Sequence, residues 1–398
     1  MNVDKDFPML NKDIIYFDNS ATTLKPKCVI DAMNDYYENY SANAHRGDYN
    51  ISFKVDDEID KSREAVKNFI NARRKEEIIF TSGATESLNM IVFGFFENIL
   101  KENDEVILSK SEHASNILPW YILSLKKKIK LKFIPLDEDN KITTSNLLKT
   151  ITDKTKVISL AHITNVIGDT RNINEIIEIA HSNNIYTVVD ASQSIPHIKT
   201  NIKEMDPDFL VFSGHKMCGP TGIGVLYGKY ELLLRMMPFK FGGGMNESFS
   251  EEKLILENIP TRFEAGTQNI AAIIGLRHAI EYIDSIGLNE IHKHEMYLKN
   301  YLIRRLKEIP YIKIYNENSE SSIVLINADD IMSGDLGLYL NSKNICVRSG
   351  THCAKMLKEE SHFNDTVRIS LYFYNTYEEI DKLIDALKNK NELYNFLK

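Results

Sequence analysis

Lys216 stands in Phe212-Ser-Gly-His-Lys-Met-Cys-Gly-Pro-Thr-Gly-Ile-Gly224, a lysine among glycines and small residues just after an apolar run. An ammonium is costly to hold there unless it is exposed or partnered. A lysine whose charge is suppressed by desolvation or by a cationic neighbour is a Schiff-base nucleophile. An exposed lysine in a glycine-rich turn has the same local sequence, so its companions decide. Upstream, Val188-Val-Asp190-Ala-Ser-Gln193 ends an apolar stretch in a carboxylate. Asp190 reads either as the N-cap of a following helix or as the partner of a pyridine nitrogen, the role an aspartate plays beside pyridoxal phosphate, where it makes the ring an electron sink. Thr81-Ser-Gly-Ala-Thr-Glu-Ser87 turns from strand-like to helix-like sequence. Such a turn offers backbone N–H groups and a helix dipole to a phosphate, and an ordinary turn and cap look the same. His113 follows a strand-like run ending at Ser109; an imidazole there would stack on a flat ring or be merely structural.

Placing these groups together requires elements that end near one another. Apolar runs over residues 77–80, 105–109, 130–136, 155–161, 185–190 and 209–212 read as strands, and residues 85–100 and 174–181 as helices. Val55, Ile59, Val66, Phe69 and Ile70 keep helical spacing. This alternation predicts βαβ units in an α/β fold, a mostly parallel sheet with helices on both faces. Ligands of such sheets sit beyond the carboxyl ends of the strands, and the candidate polar residues directly follow strands. From about residue 280 the pattern changes to a charged helix over 289–308, strands over 322–326, 345–348 and 367–371, and an amphipathic helix over 378–387. We expect a large α/β domain over residues 14–275, and a smaller α+β domain formed by residues 1–13 and 276–398.

The composition bounds the function. Across 398 residues, 48 Lys and Arg face 56 Asp and Glu, a net charge of −8. Nucleic-acid and anionic-membrane surfaces need the opposite excess, so neither partner is expected. The basic run at residues 126–130 reads as a solvated face. The best apolar run, residues 90–96, is far short of the roughly 18 residues a membrane span requires. Residues 1–6 lack a signal peptide's basic and apolar regions. Four scattered cysteines, Cys28, Cys218, Cys346 and Cys353, make no disulfide framework, and no CxxC or HExxH pair occurs. A cytoplasmic protein without a structural metal is expected.

Taken together, the motifs resemble those of fold-type I pyridoxal-phosphate enzymes of the class V aminotransferase group, specifically the SUF-type (group II) cysteine desulfurases. The matching motifs, all in register, are Tyr16-Phe-Asp-Asn-Ser-Ala21, Ala44-His-Arg-Gly47, Gly83-Ala-Thr-Glu86, Glu112-His-Ala-Ser-Asn116, Asn165-Val-Ile-Gly168, Asp190-Ala-Ser-Gln193, Ser213-Gly-His-Lys216, Arg262-Phe-Glu-Ala-Gly-Thr267, Arg348-Ser-Gly-Thr-His-Cys353 and Arg368-Ile-Ser-Leu371. The resemblance spans roughly residues 14–390.

The resemblance implies roles position by position. Lys216 would anchor pyridoxal 5'-phosphate covalently and move the substrate's α-proton, Asp190 would hold the ring nitrogen, and His113 would stack on the ring. Gln193 and Asn165 would hydrogen-bond near the phenolate oxygen or the substrate. The phosphate would be held by the N–H groups of Ala84 and Thr85 and the side chains of Ser213 and His215, with Thr267 supplied by the other subunit of a homodimer. Arg368 would clamp the carboxylate of L-cysteine through its planar bidentate donors, and Arg348 would steer the substrate and stabilise a sulfur anion. Cys353, which alone would read as an inert small residue, becomes the thiolate that takes the substrate's sulfur as a persulfide. Cys28, Cys218 and Cys346 keep bland packing roles.

The short interval between Arg348 and Cys353 implies a compact active-site loop and a separate sulfur-acceptor protein of the SUF type, feeding iron–sulfur cluster assembly or a related pathway. A selenocysteine lyase would use nearly the same residues. A class V transaminase or β-eliminating lyase would not need Cys353, and a non-enzymatic scaffold would be expected to lose Lys216 or Asp190. Two departures concern loop conformation: Ala354-Lys-Met-Leu357 and Gln268 stand where the family often has proline.

Overall fold

A computed structural model describes residues 3–44 and 47–396; His45 and Arg46 of the second motif lie outside the described residues. Seven strands form one sheet in the spatial order Ile78–Thr81, Gly224–Gly228, Phe209–Ser213, Tyr186–Asp190, Thr155–Ala161, Glu105–Ser109, Lys130–Ile134. The last five pair in parallel, whereas Gly224–Gly228 runs antiparallel to both of its neighbours.

The central strands read as continuous apolar runs because both faces are covered. Successive side chains point to opposite faces. Ile78, Phe80, Leu210 and Phe212 therefore join the core beneath helices Lys27–Asn39, Asn50–Phe69 and Ile270–Ile286. Ile79, Phe209 and Val211 join a second core with Leu88, Trp120 and Leu233. In helix Asn50–Phe69 the buried Ser52, Val55, Ile59, Ser62, Val66 and Phe69 recur every three or four residues, the stripe its pattern predicts.

Four antiparallel strands, in the order Ile312–Ile314, Ile323–Ala328, Thr366–Ser370, Arg348–Gly350, make a second sheet. It shares a core with helices Leu288–Leu306, Ser333–Ser342 and Tyr377–Lys388. Thr376 and Glu379 cap the last of these reciprocally. The junction expected near residue 275 falls inside helix Ile270–Ile286, whose buried residues belong to the core of the large sheet. Phe7 joins that same core, 5.8 Å from Tyr282 and 4.6 Å from Tyr374 between ring centroids.

Two local expectations change. The single helix read over residues 85–100 is helix Ala84–Asn89, a π-helical stretch Met90–Phe96, then Glu97–Ile99. Within the widened stretch, the Gly94 carbonyl accepts the Met237 N–H at 2.9 Å and Asn98 Nδ2 at 2.9 Å, contacts that compete with a regular helical ladder. The strand read over residues 345–348 changes partner midway. Ile345–Cys346 pairs in parallel with Ile15–Tyr16, whereas Arg348–Gly350 pairs with Thr366–Ser370. Strand Gly224–Gly228 and the hairpin Asn246–Phe249 with Leu254–Leu256 were not expected.

Candidate active site

A cavity of about 250 Å³ opens where the strand ends of the large sheet meet the second sheet. Asp190 closes strand Tyr186–Asp190, and Ser213 closes Phe209–Ser213 before the turn Gly214–Lys216. His113 follows strand Glu105–Ser109, and Asn165 follows Thr155–Ala161. From the second sheet come Arg348, Arg368 and the Cys353 loop. Lys216, Asp190, His113, Asn165, Ala84, Thr85, Ser213, His215, Arg348, Arg368 and Cys353 all line this one cavity.

The turn at Gly83 is shaped by close approach. Gly83 has φ of 153°, and a Cβ on Gly224 would lie 2.4 Å from Gly83 Cα. Strand Gly224–Gly228 therefore presses the turn against the sheet, where only hydrogen side chains fit. Ser213 Oγ accepts the Ala84 N–H at 2.9 Å and thereby caps the first helical turn, and Thr85 Oγ1 lies 2.7 Å from Ser115 Oγ. The carbonyl of His215, immediately before Lys216, accepts from Thr23 N, Thr22 Oγ1 and Lys25 Nζ at 3.0–3.1 Å. These bonds fix the backbone from which Lys216 projects.

Burial pushes the Lys216 amine down to about 8, aided by Arg368 and opposed by Asp190. The neutral form, the one needed for nucleophilic and base chemistry, is thus far more accessible near neutral pH than for an ordinary lysine. His113 is lowered by burial and by Lys216. Its Nδ1 accepts the Ser115 N–H at 3.1 Å, which leaves the neutral ring's proton on Nε2. Burial lowers His215 to about 4 and His352 to about 3, so these imidazoles stay neutral at pH 7.

Asp190 Oδ1 accepts the Ser192 N–H at 2.9 Å. Glu112, fully buried, bonds Arg171, Asn116 Nδ2 and the Ala161 N–H, anchoring the segment that presents His113. The loop of Cys353 is pinned at three points. Asn165 Nδ2 donates to the His352 carbonyl at 2.7 Å, the Ala114 N–H donates to the Cys353 carbonyl at 2.9 Å, and His352 Nε2 lies 2.9 Å from Thr366 Oγ1. His352 and Cys353 both adopt left-handed backbone, with φ of 52° and 62°, at a cost of about 1–3 kcal/mol each. The cysteine is exposed, yet its backbone is held.

Two of the expected residues do not line this cavity, one of them Thr267, which was expected from the other subunit. Gln193 does not line the cavity; its Nε2 donates to the Ser20 carbonyl at 2.8 Å and so holds a segment that does. Thr267 lines a separate cavity with Gly243, Gly244 and Gly266. Sequence reasoning assigned no role to Asp18, which joins the two arginines: its Oδ1 is 3.0 Å from Arg368 Nη2 and its Oδ2 is 3.3 Å from Arg348 Nε. Nor did it single out His352 and Thr366 as the loop's tether. Asp18 lay within a quoted motif, but nothing local to it points to partners so distant in the chain.

The residues present fit a ring cofactor that bears an aldehyde and a phosphate. They offer a weakly basic amine, a carboxylate for a ring nitrogen, and small polar groups at a helix start. Asn165 Oδ1, Ser192 Oγ and Arg368 Nε are buried beside the cavity without a hydrogen-bond partner. Buried polar groups are normally satisfied, and these unpartnered atoms gather, with His352 Nδ1, on residues that line this cavity.

The family described as Aminotransferase class-V matches residues 15–383. A protein of Staphylococcus aureus (strain Mu50 / ATCC 700699) named probable cysteine desulfurase is 40% identical over 399 residues, covering 98% of this chain and 97% of that protein. The structure of an apo cysteine desulfurase from Thermococcus onnurineus NA1 superimposes with a TM-score of 0.93 at 38% identity, over 97% of this chain and 96% of that one. A cysteine desulfurase from Escherichia coli gives a TM-score of 0.91 at 32% identity, over 98% and 97% of the respective chains.

Proposed function

Because the chain belongs to the class-V aminotransferase family, among its cysteine desulfurases, we propose that L-cysteine is bound and cleaved in the cavity shared by Lys216, Arg368 and Cys353. That co-location is the observation that carries the reading. Pyridoxal phosphate held there would supply an electron sink that acidifies the substrate's α-proton. Lys216 would anchor it, with Asp190 at the ring nitrogen and Ser213, His215, Ala84 and Thr85 around the phosphate.

Arg368 holds the substrate carboxylate. The neutral Lys216 amine takes the α-proton and later returns a proton to carbon. The Cys353 thiolate attacks the substrate's Sγ. An S–S bond forms and the Cβ–Sγ bond breaks, with its electron pair remaining on carbon. Protonation of that carbon completes alanine, and Cys353 keeps the sulfane sulfur as a persulfide. Neutral His113 lies on the cavity wall, where stacking costs no charge desolvation.

Because Cys353 is exposed, a separate acceptor protein of the SUF type is the proposed recipient, with iron–sulfur cluster assembly as the destination. A homodimer is proposed because Thr267 lies apart from the cavity of its own chain. Helix Leu118–Lys127 also leaves Leu118, Tyr121, Ile122 and Leu125 exposed along one side. Among the described residues no helix is long and apolar enough to cross a membrane. Cytoplasmic residence is proposed, since all four cysteines are unpaired.

Borohydride reduction of the purified holoenzyme, followed by peptide mapping, tests the anchor. Permanent labelling of Lys216 is expected, and labelling of another lysine would contradict the assignment.

A further inference from the structure

Arg348 and Arg368 are cross-strand partners on neighbouring antiparallel strands. Like charges placed directly opposite repel, and Arg368 is only 2% exposed. One carboxylate, Asp18, bridges the two guanidinium groups, 3.0 Å from Arg368 Nη2 and 3.3 Å from Arg348 Nε. Asp18 does not itself line the cavity. Its backbone is fixed, because the Phe17 N–H donates to the Cys346 carbonyl at 2.9 Å and the Phe17 carbonyl accepts the Ser370 N–H at 2.7 Å. Of the remaining Arg368 donors, Nη1 binds the Asn165 carbonyl at 2.8 Å, and Nε is buried without a partner.

Two fixed cations and one fixed anion leave one positive charge unmatched at this end of the cavity. The one carboxylate among the residues lining the cavity is Asp190, which ends a strand of the other sheet. We propose that Asp18 is a specificity-determining residue: it sets the charge count at the arginine pair so that the site accepts amino acids with one carboxylate and disfavours those whose side chain carries a second anion. Without Asp18, both guanidinium groups would be free for anions, and a dicarboxylate would gain a second charge-assisted contact. Asp18 acts through the arginines, as a positioning residue. The inference rests on the cavity being the amino-acid site.

Calorimetric titration of the purified holoenzyme with propionate and with succinate reads the charge count without turnover. Wild type is expected to bind propionate more tightly than succinate. Asp18→Asn, which removes the charge and keeps the shape, is expected to shift the preference toward succinate by about tenfold, the scale of one charge-assisted hydrogen bond. Adding Arg348→Gln restores the balance and is expected to return the ratio to the wild-type value. An unchanged ratio in Asp18→Asn, with only a lowered melting temperature, would overturn the proposal and leave Asp18 as a counterion of the fold.

If Asp18→Asn does not fold, Arg348→Gln alone decides, since that side chain is 43% exposed and its loss is tolerable. It is expected to weaken both acids by about tenfold, and undiminished binding would overturn the charge count. Propionate binding with which L-cysteine does not compete would instead overturn the placement of the substrate in this cavity.

Discussion

The carbonyl of Cys353 accepts the backbone N–H of Ala114 at 2.9 Å. This bond ties the exposed cysteine of the second sheet's loop to the turn that presents His113 from the large sheet. With the Asn165–His352 bond at 2.7 Å, it keeps a thiol in place while leaving it accessible.

Removing the second tether should loosen the first. Asn165→Ala is expected to speed amide exchange at Ala114 and to lower sulfur transfer by about tenfold, the value of one lost hydrogen bond, with little change in melting temperature. Hydrogen-exchange mass spectrometry and alanine production check the two parts.

Arg368→Lys keeps a positive charge beside Asp18 but loses the planar fork that a carboxylate matches. A fall in kcat/KM for L-cysteine of about 10–100-fold is expected, carried mainly by KM. Steady-state kinetics check this, and a change confined to kcat would contradict a role in substrate binding.

Acid should destabilise the fold through its buried imidazoles. His162 and His215 are lowered by burial to about 4 and His352 to about 3, against about 6.5 in the unfolded chain. Their folded-state values are depressed, so the unfolded chain binds more protons between these limits. Stability is therefore expected to fall as pH drops from about 6.5 toward about 4. His352→Gln should flatten that slope by up to one proton, which urea titrations at successive pH values measure.

Glu112→Ala is expected to cost about 3–5 kcal/mol of stability, because it leaves the buried Arg171 with Asp169 alone, at 3.3 Å, as its ion-pair partner and strips the Ala161 N–H and Asn116 Nδ2 of their acceptor. Chemical denaturation checks the loss.

Much of this site was legible because its residues follow strands whose apolar runs are unmistakable. Asp190 after Val188-Val189, and Ser213 and Lys216 after Phe209–Ser213, land where an open parallel sheet binds ligands. Strand Gly224–Gly228 escaped because, as the antiparallel member of an otherwise parallel sheet, it follows Phe209–Ser213 without a crossover α-helix between them, and its first glycine reads as turn. The split of residues 345–348 between two partners is a tertiary choice made by Ile15–Tyr16 and Thr366–Ser370. Asp18 owes its role to a pairing with Arg368 across most of the chain, and Thr366 owes its role to a side-chain contact with His352 from a neighbouring loop; periodicity registers neither.

The central claim is that Cys353 takes the sulfur. Purified holoenzyme and its Cys353→Ala variant would be given L-cysteine, with alanine and sulfide quantified in the presence of a reductant and the Cys353 peptide weighed after a parallel reaction without one. Wild type should release alanine and sulfide together and carry one extra sulfur atom on Cys353, while the variant keeps its bound cofactor and loses both products by about a hundredfold or more. Sulfide release at the wild-type rate from Cys353→Ala would contradict the account.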